Sequence, residues 1–198
     1  MKTRLLGLLL LALVLTGCSG MRIVDSDVRA FTAAQGVSVP ATFRFEQLPS
    51  QQGEPAQRRA LEDMVQAELE KVGMRRDDTA PQYSVSFALR VERDARSPWG
   101  DSPFGSGFYA GFPIMTRHGV VYQYPGPFFA PDMPWYRREV SLLMRRLSDS
   151  QLVFETHANS DSYWSDDAAV IPAMFEAALR DFPNPAPGPR RVNIEIPR

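Results

Sequence analysis

The amino-acid sequence predicts an α+β domain of two layers, in which two amphipathic helices lie on one face of a largely antiparallel sheet. Three patterns support this prediction. Residues 83–91 alternate between apolar and polar or small side chains, which is the period of a strand with one buried face. Residues 136–158 repeat the alternation around a short polar turn, and two further segments have apolar residues at spacings of three and four.

Two strands and a helix are predicted before the clearest strand. Residues 21–33 and 37–45 are rich in β-branched and aromatic side chains, and Gln35-Gly36 supplies a turn between them. A polar connection leads to a helix over residues 56–72, and Gly73 follows as its cap. The apolar stripe of this helix contains Leu61, Met64, Val65, Leu69 and Val72.

The second half of the sequence predicts a hairpin. Apolar residues alternate in residues 136–147 and again in residues 151–158, and Ser148-Asp149-Ser150 lies between the two segments. Because polar residues of this kind favour turns, we expect the two strands to pair in antiparallel fashion.

A second amphipathic helix and a last strand complete the predicted domain. The helix is expected to begin near Ile171, since Pro172 fits only its first turn, and to end at Pro183. Val192, Ile194 and Ile196 alternate and indicate a final edge strand or a docking segment. The stripe of the helix contains Val170, Ile171, Met174, Phe175, Ala178, Leu179 and Phe182.

The amino terminus has the outline of an export signal. Lys2 and Arg4 precede an apolar run over residues 5–15. This run is too short to cross a hydrocarbon core of about 30 Å, which takes about 20 helical residues. Leu15-Thr16-Gly17-Cys18 follows and resembles the bacterial lipobox, in which the cysteine thiol is diacylglycerated before cleavage. We therefore expect residues 1–17 to be a lipoprotein signal peptide; an ordinary secretory signal with a chance cysteine is the alternative.

Cys18 is the single cysteine of the sequence, so its acylation would leave no thiol for a disulfide, for catalysis or for a metal. In Gram-negative lipoproteins an aspartate after the acylated cysteine favours the inner membrane. Ser19 at that position therefore predicts the periplasmic face of the outer membrane. A single domain is expected over residues 18–183, followed by a proline-rich tail over residues 184–198.

The charge of the sequence argues against a nucleic-acid partner. Removing Lys2 and Arg4 with the signal leaves 20 basic and 23 acidic residues, a net charge of −3. Basic residues do occur in pairs, such as Arg137-Arg138, but acids are scattered around them. We therefore predict that both members of such a pair lie on a solvated face.

Residue types suited to metal or nucleophilic catalysis do not occur in the required settings. His118 and His157 are the only histidines, and neither belongs to a spacing that presents several ligands to zinc. Gly105-Ser106-Gly107 lacks the strand-to-helix context of a nucleophile elbow, and no amphipathic helix follows it to bind phosphate. No metal or other cofactor is expected.

Two carboxylate pairs are candidates for acid-base chemistry or calcium binding. Asp77-Asp78 is expected in a solvated turn, and Asp166-Asp167 at a helix start, where the helix dipole favours negative charge. A calcium site built from Asp161, Asp166 and Asp167 stays an alternative, although the ligand spacing of an EF-hand loop is absent.

Residues 97–136 are predicted to form a long insertion loop rich in glycine, proline and aromatic residues. The segment contains 11 of the 21 aromatic residues. Long loops of this kind are uncommon in compact domains unless they bind something or are mobile, and amphipathic aromatics suit interfaces. We expect contact with lipid, a partner protein or glycan; the alternatives are that the aromatics cover a sheet face or that the loop is disordered. The candidate contact residues are Trp99, Phe104, Phe108, Tyr109, Phe112, Phe128, Phe129 and Trp135.

The lipobox and the order of elements resemble the DUF4136 lipoproteins, a domain of unknown function common in Gram-negative envelopes. The resemblance rests on Thr42-Phe43-Arg44-Phe45, on the hairpin sequence from Leu147 to Phe154, and on a helix ending in Phe182-Pro183. It extends over nearly the whole mature chain. The sequence departs from the family in having Phe154 where tryptophan is usual and in lacking a glycine in the hairpin turn. The resemblance implies no catalytic residues.

Together these features predict a lipid-anchored cell-envelope protein that acts as a non-catalytic interaction or assembly module. Its expected partners are the membrane, through the lipid on Cys18, and an envelope protein or glycan. Two alternatives stay open: an auxiliary lipoprotein of an envelope lipid-transport or efflux complex, and a carboxylate-based hydrolase.

Overall fold

A computed structural model describes residues 20–46, 55–94, 112–116, 119–123 and 134–197. Within these ranges the chain forms nine strands and two helices, so the predicted α+β class is confirmed. The elements are β1 (Met21–Thr32), β2 (Ala41–Phe45), α1 (Pro55–Lys71), β3 (Met74–Arg76), β4 (Tyr83–Asp94), β5 (Phe112–Thr116), β6 (Gly119–Gln123), β7 (Trp135–Arg146), β8 (Leu152–Ser162), α2 (Asp167–Ala178) and β9 (Arg190–Pro197).

Seven strands form one mixed sheet in the order β3-β2-β4-β7-β8-β1-β9. β2 runs parallel to both β3 and β4, and the other neighbours are antiparallel. The predicted hairpin is confirmed as β7 and β8, and the predicted edge strand as β9. The first two strands of the sequence are not neighbours, because β4, β7 and β8 lie between them.

Alternation along the strands separates a buried face of the sheet from an exposed one. In β1, Val24 and Val28 are buried whereas Met21 and Ile23 are more than half exposed. β7 has the same pattern, with Val140, Leu142 and Met144 fully buried. The side chains of the buried face meet those of the helices in one hydrophobic core.

The first helix buries the predicted stripe. Val65 and Leu69 have no solvent exposure, and the other three stripe residues pack against the core. Gly73 follows α1 with a φ of 88°, a conformation that glycine adopts without the steric cost of a Cβ. Neither described helix is long and apolar enough to cross a membrane.

The second helix begins at Asp167, four residues before the predicted start near Ile171. Asp166 caps it, because its carboxylate accepts a hydrogen bond from the backbone N–H of Ala169 at 3.3 Å. Pro172 therefore lies inside α2, and the first-turn prediction for it is wrong. The helix tolerates the missing hydrogen bond because an entire face of α2 is buried against the sheet, including Phe175 with no exposure.

Three parts of the structure differ from the sequence-based expectations. The predicted insertion contains the two-stranded sheet of β5 and β6, and its last two residues, Trp135 and Tyr136, belong to β7. The three-residue strand β3 was not predicted. β9 lies beyond residue 183 but pairs with β1 along its whole length, and its Val192 and Ile194 are buried in the core.

Candidate functional site

Most of the predicted site residues lie outside the described residues. These are Leu15, Thr16, Gly17 and Cys18 of the lipobox, and Trp99, Phe104, Phe108, Tyr109, Phe128 and Phe129 of the insertion. Phe112 begins β5, and only its backbone is described. Trp135 begins β7 and is partly buried.

The strand register brings Trp135 to the end of the sheet at which the described domain begins. Met21 lies opposite Pro197, and Tyr136 lies opposite Ser162. Because β1 and β8 are antiparallel, the end of β8 lies beside the start of β1. The starts of β1 and β7 and the ends of β4, β8 and β9 therefore share one end, which we call the Met21 end.

A cavity of about 140 Å³ opens at the Met21 end. Its apolar and aromatic lining includes Ile23, Trp135, Tyr163 and Trp164. The rings of Tyr163 and Trp164 contact each other with centroids 4.4 Å apart. Met21, Ile23 and Tyr163 are each between 51% and 55% exposed, so the apolar surface at this end faces outward.

A buried arginine fixes the segment that follows β8. The side chain of Arg138 has no solvent exposure. It donates from Nε to Asp167 at 2.8 Å, from Nη1 to the hydroxyl of Ser162 at 3.1 Å, and from Nη2 to the backbone carbonyl of Trp164 at 2.5 Å. Because a fixed guanidinium fork meets three acceptors, α2 and the end of β8 are held to the sheet together.

A second buried arginine contacts the same segment from β1. Arg22 donates from Nη2 to the carboxylate of Asp166 at 2.6 Å, and its guanidinium lies 5.1 Å from the centroid of the Trp164 ring. Sequence reasoning missed Arg22, Tyr163 and Trp164, and it wrongly predicted that Arg138 lies on a solvated face. The alternation along β1 could have predicted that Arg22 is buried. Every second residue of a strand faces the same side, so Arg22 shares a face with the buried Val24 and Val28.

The exposed face of the sheet has paired charges. A shallow pocket of about 200 Å³ is lined by Arg90, Glu92, Arg137, Glu139 and Asn159. Glu92 lies 2.5 Å from Arg90 and 3.7 Å from Arg137. Glu92 therefore has two cationic neighbours, an arrangement that suits a charged surface rather than an acid and base pair for general catalysis.

His157 lies on the same exposed face between two glutamates. Its Nε2 lies 2.8 Å from Glu155, and its Nδ1 lies 3.9 Å from Glu139. These contacts suit a histidine at a polar surface, and among the described residues no hydroxyl or thiol is within hydrogen-bond distance of the ring.

The three aspartates of the alternative calcium site do not converge. Asp166 and Asp167 bind Arg22 and Arg138, respectively, and Asp161 lies 3.8 Å from Arg137. Across the part of the chain that the structure describes, no three His, Cys, Asp or Glu side chains are grouped to hold a metal. Asp166 instead caps a helix, as expected for the Asp166-Asp167 pair.

Asp77 stabilises a turn by accepting backbone hydrogen bonds, as expected for a solvated turn. Its Oδ1 accepts the N–H of Thr79 at 2.9 Å and that of Ala80 at 3.0 Å. These hydrogen bonds hold the pKa of the Asp77 carboxyl below its ordinary value, and the bond from Ala80 has the largest effect. The hairpin turn is stabilised in the same way. The backbone N–H of Gln151 donates a hydrogen bond to Asp149 and lowers the pKa of its carboxyl.

Asp77→Asn is expected to make folding stability less dependent on pH in acid. Since the folded state lowers this pKa, the ionised carboxylate contributes stability above the unfolded pKa, and that contribution is lost as the pH falls through the folded value. Urea unfolding from about pH 6 down to about pH 2 measures the effect. The difference in unfolding free energy between wild type and variant should shrink with acidity; a difference that stays constant contradicts the prediction.

The fold and the site define an α+β protein with a mixed seven-stranded sheet and an aromatic cluster at one end. The sequence matches the family described as Domain of unknown function (DUF4136) over residues 28–184, so the chain belongs to the DUF4136 family. The resemblance to this family, inferred from the hairpin sequence and from Phe182-Pro183, is thereby confirmed, although α2 ends at Ala178 and not at Pro183 as predicted. No curated protein matches the sequence.

Solved structures that match this chain share little sequence identity with it. A PDZ domain protein from Parabacteroides distasonis is 14% identical with a TM-score of 0.49, and the match covers 88% of this chain but only 39% of that protein. The PelC dodecamer from Paraburkholderia phytofirmans is 10% identical with a TM-score of 0.44, and the match covers 78% of this chain and 94% of PelC. A second crystal form of that dodecamer, which carries one substitution, gives 11% identity and a TM-score of 0.43.

Proposed function

We propose that this protein is a cell-envelope lipoprotein, anchored through acylated Cys18 to the periplasmic face of the outer membrane, and that it acts as a non-catalytic interaction or assembly module. The observation that supports the anchor most strongly is Leu15-Thr16-Gly17-Cys18 directly after an apolar run of signal-peptide length. Each buried methylene of a lipid contributes about 0.8 kcal/mol, so the several acyl chains of a lipobox cysteine give stable anchoring.

The position of the motif relative to the domain also supports the proposal. β1 begins at Met21, three residues after Cys18. A cleavage before Cys18 would therefore remove none of the strands that the structure describes.

The arrangement of charges favours a binding role over a catalytic one. The exposed sheet face has carboxylates that are paired with arginines, and its pocket is shallow and lined by charged side chains. The proposed architecture is the predicted one of two layers. Both helices lie on the buried face of the sheet, and the exposed face is left open. An open, polar sheet face is suited to contact with another macromolecule.

The proposed anchor is tested by Cys18→Ser in a bacterial host. We expect the variant to lose labelled palmitate completely and to keep its signal peptide, because serine cannot form the thioether to diacylglycerol. Thr16→Ala retains a small residue in the motif and is the matched control. Equal palmitate labelling of the Cys18→Ser and Thr16→Ala proteins would show that the lipid is attached elsewhere.

The insertion over residues 97–136 is proposed as a further contact with lipid, a partner protein or glycan. Phe108, Tyr109 and Phe112 changed together to serine should reduce crosslinking to liposomes or envelope components, since aromatic surface is removed. Unfolding by urea provides the folding control. Unchanged capture by a folded variant would remove the insertion from the proposed contact surface.

A further inference from the structure

We propose that the Met21 end of the sheet rests directly on the headgroup region of a zwitterionic phospholipid bilayer. The inference builds on the proposed acylation of Cys18 and specifies which surface of the domain faces the lipid. Four features of this end agree: the length of chain to the anchor, the exposed side chains, the attachment points of the insertion, and the charges.

The reach of the chain limits the distance between domain and lipid. Met21 is three positions after Cys18, and a fully extended chain spans at most about 3.6 Å per residue, or about 11 Å in total. The headgroup layer on each side of a bilayer is about 5–8 Å thick. An anchored Cys18 therefore keeps Met21 within or just above the headgroups.

The side chains at this end are of the kinds found at membrane interfaces. Met21, Ile23 and Tyr163 are more than half exposed, and Trp135 and Trp164 line the adjoining cavity. Tyrosine and tryptophan have an apolar body and a polar tip, which favours the boundary between hydrocarbon and water. The buried arginines also hold Trp164 in place, so little side-chain entropy is lost when the surface meets lipid.

The insertion is attached at the same end. β4 ends at Asp94 directly opposite Trp135, where β7 begins, so the chain departs from and returns to the Met21 end between these residues. The register thus brings both attachment points of the aromatic-rich segment to the side of the domain nearest Cys18.

The charges at this end select a zwitterionic surface. Asp166 and Asp167 pair with Arg22 and Arg138, while Asp25 lies 3.3 Å from Arg191 and Asp161 lies 3.8 Å from Arg137. Glu195 lies opposite Ile23 and Asp94 lies opposite Trp135, whereas Arg93 adds one positive charge opposite Tyr136. The described residues of this end therefore form no basic cluster to attract anionic lipid, and zwitterionic phosphatidylethanolamine and phosphatidylcholine headgroups require none.

β1 provides both the test position and its control. Ile23 and Phe31 are on the exposed face of this one strand, 55% and 59% exposed. They are eight residues apart, which corresponds to about 26 Å along the strand. Ile23→Cys and Phe31→Cys are made separately in the full chain, and each new thiol is labelled with a nitrobenzoxadiazole fluorophore. The acylated thiol of Cys18 does not react.

The labelled, acylated proteins are incorporated into vesicles of phosphatidylethanolamine and phosphatidylcholine that contain nitroxide-labelled phosphatidylcholine. We expect most of the emission from position 23 to be quenched and the emission from position 31 to stay unchanged. Urea unfolding confirms that both variants fold alike.

Equal emission losses at positions 23 and 31, or a loss at position 31 alone, would overturn the inference. If the acylated protein floats with the vesicles but position 23 keeps its full emission, the docking surface is wrong while the proposed anchor stands. If mass spectrometry finds no acyl chain on Cys18 and the protein does not float, the proposed anchor is wrong and the docking surface with it.

Discussion

Arg138→Met is expected to lower the free energy of unfolding by about 3–5 kcal/mol, because three hydrogen bonds from a charged group contribute about 1.5–3 kcal/mol each and the 44% exposure of Asp167 reduces their sum. The substitution removes three hydrogen bonds at once, to Asp167, Ser162 and the carbonyl of Trp164. It also removes the link from β7 to the start of α2 and to the segment that follows β8. Urea unfolding of the unacylated domain, followed by circular dichroism, measures the loss.

Two further variants separate the geometry of Arg138 from its charge. Arg138→Lys keeps the charge but loses the planar fork, so we expect an intermediate loss of about 1–3 kcal/mol. Arg137→Met is the neighbouring control, because its side chain is 60% exposed and its ion pairs are at 3.7 Å and 3.8 Å. It should change stability by about 1 kcal/mol or less. Equal losses of stability for Arg137→Met and Arg138→Met would contradict the prediction that the buried hydrogen bonds of Arg138 stabilise the domain.

Phe87→Ala is expected to destabilise the domain by about 3–5 kcal/mol, the range for removing a buried phenylalanine. Phe87 lies on β4 and makes edge-to-face contacts with Phe45 at 5.3 Å and with Phe175 of α2 at 6.4 Å between ring centroids. The guanidinium carbon of Arg58 lies 4.2 Å from the ring centroid. The alanine variant therefore opens a cavity where both helices meet the sheet, and chemical denaturation measures the effect.

Phe31→Ala is the matched control for Phe87→Ala. Phe31 is on a strand of the same sheet, but it is 59% exposed and faces away from the core. Its removal should change the free energy of unfolding by about 0.5 kcal/mol or less. A loss at Phe31 as large as that at Phe87 would mean that the exposed face of the sheet is covered in solution.

Periodicity alone predicted the local structure of most of the chain. Strict alternation identified β4, β7 and β8, and spacings of three and four identified both helices and the residues that they bury. These patterns are reliable because side-chain direction repeats every two residues in a strand and every 3.6 in a helix. The predicted start of α2 is too late because Pro172 favours a first-turn position, whereas the cap at Asp166 sets the actual start.

The same alternation could have identified the buried arginines. Arg138 shares its parity with Val140, Leu142 and Met144, and Arg22 shares its parity with Val24 and Val28. Their charge instead favoured a solvent-exposed position, because arginine is seldom fully buried without a partner. The partners are Asp166 and Asp167, which lie 144 and 29 residues away in sequence and become neighbours only through the fold.

The sequence by itself determined the α+β class, most of the elements and membership of the DUF4136 family, and it predicts a lipobox at Cys18. The tertiary structure decided which strands are neighbours, and thereby placed Trp135, Tyr163 and Met21 at one end of the sheet. The reason is physical. Local patterns follow from the geometry of consecutive residues, whereas strand order depends on contacts between distant segments that bury one shared core.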